Sequence, residues 1–141
     1  MNNKLREIKN LVFIIYNFFF ICIALFSCRH DKAALERVCA SSLPDTVSFS
    51  KNILPILQNN CNSIGCHSGI NPTGHLNLDT SLAYSQLMQH GKGYIDTINP
   101  KYSLFYIQMT SVSKPMPPSG NLDACTTQMV LKWIQQKASK N

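Results

Sequence analysis

The sequence predicts an all-α fold in which an early helix and a C-terminal helix cross over short helices and loops. Three observations carry this reading. Phe49, Ile53, Ile56 and Leu57 fall at helical spacing, and Met129, Val130, Trp133 and Ile134 do so near the C-terminus. Between them the chain shows no convincing strand and no internal repeat; Tyr94, Ile95 and Ile98 could form at most a short extended piece. Loop-forming Gly and Pro separate the remaining short segments, as at Gly69, Pro72 and Gly74.

The first segment has the make-up of an export signal. Lys4, Arg6 and Lys9 give a positive start, and residues 11–26 form an apolar run interrupted by Asn17. That run has 16 residues, short of the roughly 20 that cross a bilayer as a helix. Leu25-Phe26-Ser27-Cys28 resembles a bacterial lipobox, with Phe26 bulkier than usual. Residues 1–27 are therefore expected to be a lipoprotein-type signal, with Cys28 lipidated and holding the chain to a membrane. An uncleaved N-terminal anchor is the alternative, and both readings put the domain outside the cytoplasm, on a periplasmic or cell-surface face.

The whole chain has 141 residues and a formal charge of +6. Without Lys4, Arg6, Lys9 and Glu7 there remain ten Lys/Arg against six Asp/Glu, a net +4. No basic run interleaves with aromatics, which speaks against nucleic-acid binding. A mildly positive surface suits an acidic redox partner.

Residues 28–47 read as a linker, polar and mixed, and 48–141 as one small domain. In its first helix Asn52 is the expected cap, with Pro55 in the first turn, where a missing N–H costs nothing. This helix delivers Cys61-Asn62-Ser63-Ile64-Gly65-Cys66-His67. Two cysteines with a histidine at once after the second form the attachment signature of a c-type haem, here with four residues between the cysteines where the usual form has two. The thiols can add across the two vinyl groups, and the histidine then lies beneath the iron as proximal ligand. The longer spacer must bulge, which Gly65 permits. A local Cys61–Cys66 disulfide in an exported protein and a zinc site lacking an obvious fourth ligand are the competing readings.

In the middle of the chain, Asp79 is expected to cap a helix over 80–89 ended by Gly91, with Leu82, Ala83 and Leu87 inward and Met88 beside them. After the Asn99-Pro100 turn, Ser103 is expected to cap a helix over 104–109, with Leu104 and Ile107 or Gln108 on one face. His75 and His90 are rival candidates as iron ligands, and the favoured reading is that both are solvated loop histidines.

Lys114-Pro115-Met116-Pro117-Pro118 is the second informative stretch. A thioether is a weak ligand that competes only when it is held in place, and flanking prolines hold it. Met116 is thus the candidate distal ligand, while Met88, Met109 and Met129 read as core filler. Asp123 is expected to cap the last helix, 124–138, with Trp133 as the large contact on the first helix. Crossing terminal helices would bring Cys39 and Cys125 together. A disulfide there would close a loop of about 85 residues and stabilise by roughly 4 kcal/mol.

Taken in order, these motifs resemble the cytochrome c-type domains of exported proteins from Bacteroidetes and planctomycetes. The matching pieces are Ile53-Leu54-Pro55-Ile56-Leu57, Cys61 to His67, Leu76-Asn77-Leu78-Asp79, Asn99-Pro100-Lys101-Tyr102-Ser103-Leu104, Met116-Pro117-Pro118 and Trp133-Ile134. The likeness covers about Ser48 to Ala138, and the longer cysteine spacing departs from the plain signature. It implies a small fold around one covalent haem c, with Cys61 and Cys66 as thioethers, His67 proximal and Met116 distal. The function it implies is one-electron transfer to an unidentified redox protein. Two filled axial positions leave no place for a substrate and argue against catalysis. The rival functions are a haem enzyme or sensor with an open distal site, and a haem-free lipoprotein with Cys61–Cys66 as a disulfide.

Overall fold

The structure is a computed structural model that describes residues 2–26, 38–39 and 41–141. Cys28 and Ser27 lie outside the described residues, so the lipobox does too. The chain divides into two compact units, Met1–Lys32 and Ala33–Asn141. The described part of the first is one helix, α1 (Asn2–Phe26). Its apolar side chains from Leu11 to Phe19 are exposed, Phe18 by 70%. Among the described residues no helix is long and apolar enough to cross a membrane.

The second unit is all-α, with no strand among the described residues. Its elements are α2 (Leu54–Asn60), α3 (Ala83–Leu87), α4 (Leu104–Thr110) and α5 (Ala124–Gln135), joined by loops that carry two short 3-10 turns. A wide π turn, Phe49–Ile53, leads into α2. Pro55 follows that turn, at the start of α2. A proline ring crowds the carbonyl four residues back, and a widened turn gives it room. The cap is one turn earlier than Asn52: the Ser48 hydroxyl accepts from Lys51 N. Asn52 answers from inside the turn, its Oδ1 accepting from Ser48 N at 2.8 Å. The backbone oxygen and the side chain of Asn141 take Ser50 N and Phe49 N at 2.9 and 2.8 Å.

The core joins the first helical segment to the last. Phe49, Ile53 and Leu57 are buried with Val130, Trp133 and Ile134. The Phe49 ring lies 5.5 Å from Trp133 and 5.1 Å from Tyr84, edge-on to the latter. Asp123 caps α5 by accepting from Thr126 N. This helix ends at Gln135, earlier than the expected 138, because Lys137 and Ala138 turn left-handed (φ 67° and 48°). Ala138 N then bonds Trp133 O at 2.9 Å, a left-handed helix stop.

Three short-range expectations need correction. The helix after Asp79 spans only Ala83–Leu87. Leu82 is left in the preceding turn, 41% exposed, and Met88 is 36% exposed. The Asp79 carboxylate does not cap that helix; it reaches back to Ser68 and Gly69. Ser103 stands before α4 but does not cap it with its side chain. The first N–H groups there are satisfied by Gly93 O and Tyr94 O at 2.9 and 3.1 Å, and the buried Ser103 hydroxyl instead accepts from Asp96 N at 2.8 Å. The inward face of α4 is one residue off the expected one: Phe105 and Met109 are buried, while Leu104 and Ile107 are 38% and 42% exposed.

The stretch expected as linker belongs in part to this unit. Cys39 is buried and bonded to Cys125, and Val47 sits in the core, with its N–H donating to Gln136 Oε1 at 2.9 Å.

Three aspartates are held below the ordinary carboxylate range by hydrogen bonds. Donation from the Ser68 hydroxyl holds the Asp79 carboxyl below its ordinary range, helped by Gly69 N–H. Asp96 is lowered by the N–H groups of Asn99 and Ile98, and Asp123 by the Thr126 hydroxyl and N–H. Depressed carboxyls stabilise fully above the roughly 3.9 of an unfolded aspartate and lose that contribution as pH falls through their lowered values. Thermal melts followed by circular dichroism are therefore expected to hold a level Tm from pH 7 to about 5 and to fall steadily below about 4.

Candidate cofactor site

The end of α2 starts the site. Cys61 N and Asn62 N both bond Leu57 O at 2.9 Å, which closes the helix and turns the chain outward. The four spacer residues fold back as a turn, with Cys66 N on Ser63 O at 2.9 Å. Gly65 takes φ +84° there, a conformation that a side chain would oppose. Thr73 fastens the loop from the far end: its N–H donates to Cys66 O and its hydroxyl to Gly65 O, at 2.6 and 3.1 Å.

His67 follows, half-buried and held at three points. Its N–H meets Cys61 O at 3.3 Å and its carbonyl accepts from Leu78 N at 2.7 Å. Its Nδ1 lies 3.1 Å from Leu76 O. A carbonyl oxygen only accepts, so Nδ1 is the donor in this contact and Nε2 is the ring nitrogen it leaves free of that bond.

Cys61 and Cys66 are both free thiols and half-buried. Burial pushes the Cys61 thiol up to about 11, with the neighbouring Cys66 adding to the rise. Burial thus favours the protonated thiol of Cys61.

These side chains line one cavity of about 390 Å³. Its walls are mostly apolar, with Leu76, Leu78, Tyr94, Leu104 and Phe105 alongside Cys61, Cys66 and His67. Met116, Pro117, Gln108 and Met109 line it as well. The Met116 segment is fastened to α4, with Met116 N bonded to Gln108 O at 3.0 Å. Cys61, Cys66, His67 and Met116, read from distant parts of the sequence, therefore share one pocket. His75 and His90 are exposed and do not line it. Met109, read as core filler, is both 2% exposed and part of the lining. Tyr94 and Phe105 went unnoticed as site residues; Phe105 and Met109, four apart on α4, carry the one signal that could have found that wall.

Cys39 and Cys125 are joined in a disulfide, with their Cα atoms 4.9 Å apart. Among the described residues no three His, Cys, Asp or Glu side chains gather as ligands of a bare metal ion. Comparisons with protein-family models, with curated proteins and with solved structures gave no match.

Proposed function

We propose that this chain is a one-electron carrier with a small cytochrome c-like fold that holds one covalent haem c. The observation that carries the reading is a single apolar cavity lined by two free thiols, by an imidazole whose Nδ1 is engaged by a backbone carbonyl, and by a thioether between prolines. These residues fit the group. The S–H of Cys61 and of Cys66 would each add across one vinyl double bond, giving two thioethers. His67 Nε2 and Met116 Sδ would be the iron ligands. Leu76, Leu78 and Phe105 would exclude water from the ring.

Bound haem would supply an iron couple that gains and loses one electron. The chain's own part would be to hold the iron through His67 and Met116 alike before and after the electron moves. Neutral thioether ligation in an apolar wall raises the reduction potential relative to two histidines. Crossing terminal helices around the haem complete the proposed fold, and the Phe49–Trp133 contact supports it.

The proposed setting is outside the cytoplasm, with α1 as export signal, lipid on Cys28 as anchor, and an acidic redox protein as partner. The apolar α1 and the Cys39–Cys125 disulfide suit export to an oxidising compartment.

An optical redox titration of exported protein tests the carrier role, with a one-electron transition between two low-spin forms as the expected result. In Met116→Ala the midpoint is expected to fall by on the order of 100 mV, within the roughly 0.8 V that axial ligands span. A spectrum and midpoint unchanged by that substitution would remove Met116 from the ligand set and favour an open-site enzyme or sensor.

A further inference from the structure

We propose that Asp79 is a positioning residue for His67, its carboxylate clasping the loop that carries the imidazole and fixing the direction of Nε2. The inference rests on His67 being the ligand of the proposed carrier and adds a residue that acts through it.

The segment 76–79 grips 67–69 at five points. Leu76 O receives the imidazole Nδ1–H at 3.1 Å, and Leu78 N donates to the His67 carbonyl at 2.7 Å. Asp79 Oδ1 accepts from the Ser68 hydroxyl at 2.9 Å, and Oδ2 from Gly69 N at 3.4 Å. Asn77 closes the grip from within, donating to Gly69 O at 2.9 Å and accepting from Asp79 N at 2.8 Å. Asn62 adds a third strand of chain. With its amide nitrogen turned toward Asp79 it lies 3.0 Å from Oδ1 and 3.1 Å from His67 O, in place of the 2.7 Å contact of that nitrogen with Gln58 Oε1.

An aspartate before a short helix would ordinarily spend its side chain on that helix. Here the backbone oxygen of Asp79 takes Leu82 N and Ala83 N, both at 2.8 Å, and the carboxylate is released for the histidine loop. Charged acceptors make the stronger hydrogen bonds. Without them the loop after His67 would hang on neutral bonds alone, and the Leu76 carbonyl that selects the imidazole tautomer would lose its fixed partner. Second-shell groups orient metal-binding histidines in this way.

Asp79→Asn and Ser68→Ala, made in the full chain, test the clasp. The first keeps the shape and removes the charge; the second removes one donor and leaves Asp79. Nitrogen-15 NMR of the ligand-free chain, with the Cys39–Cys125 disulfide intact and Cys61 and Cys66 as thiols, reads the His67 tautomer, and amide exchange reads Gly69 and Leu78. Both variants are expected to lose the single Nδ1–H tautomer and to exchange at those amides at least about tenfold faster, with Trp133 emission unchanged. Electron paramagnetic resonance of the loaded ferric protein is expected to show one low-spin species in the parent and a second species in the variants. One tautomer, unchanged exchange and one low-spin species in either folded variant would overturn the clasp and leave the carrier reading intact. If Asp79→Asn shifts Trp133 emission, Ser68→Ala decides. A parent chain that takes up no haem would overturn the carrier reading, while the tautomer and exchange measurements would still decide the clasp.

Discussion

Replacing Cys39 or Cys125 by serine is expected to lower the free energy of unfolding by about 4 to 5 kcal/mol in the chain-entropy account of a loop this long. The two cysteines are separated by 86 positions, so the bond closes nearly the whole second unit into a ring. It joins the stretch ahead of the π turn to the first turn of α5, which sets Trp133 against Phe49. Urea unfolding followed by Trp133 emission measures the loss. A midpoint moved toward low urea with a steeper slope is the expected pattern, since folded packing stays and the unfolded chain, freed of its cross-link, exposes more surface. A loss under 1 kcal/mol would mean that the rest of the core already fixes these segments in the unfolded ensemble.

Trp133→Ala is expected to cost about 3 to 5 kcal/mol, the range for deleting a large buried aromatic. Trp133 is fully buried, its ring faces Phe49, and its indole N–H donates to Ser139 O at 3.0 Å. Removing it opens a cavity between the first and last helical segments and frees the C-terminal turn that Ala138 closes. Trp133→Phe retains most of the apolar surface and should lose much less. Thermal melts by circular dichroism separate the two: the alanine variant should melt far below the phenylalanine one, and equal Tm values would contradict this account of the core.

The helices that bury a stripe were legible because periodicity reports burial. Phe49, Ile53 and Leu57 and then Val130, Trp133 and Ile134 are the inner faces of two elements that meet. Asp123 was legible as a cap because its target N–H lies within its own helix. Asp79 and Ser103 carry the same local signal and use it elsewhere, on partners 11 and 7 residues back along the chain. Local pattern cannot distinguish a cap from a longer-range bond, since the side chain is equally suited to both. On α4 the apolar residues Leu104, Phe105, Ile107 and Met109 surround more than one face, so periodicity left the register open and packing chose Phe105 and Met109.

The site divides along the same line. Cys61, Cys66 and His67 are neighbours in sequence and could be read as one chemical unit. Met116 was reached through the stiffness of its prolines, and both ends of that reading line one cavity. The Leu76 carbonyl that engages the imidazole Nδ1 is a backbone atom, and a backbone atom leaves no mark in a residue pattern. Tyr94 reaches the wall from a loop without periodicity.

Intact-mass and visible spectra of the exported protein, purified from cells that carry a haem-attachment system, test the central claim most directly. The account predicts coloured protein whose mass is that of polypeptide, lipid and one haem, with the haem surviving denaturation and lost when both Cys61 and Cys66 are changed to serine. Colourless protein with the mass of polypeptide and lipid alone would contradict it.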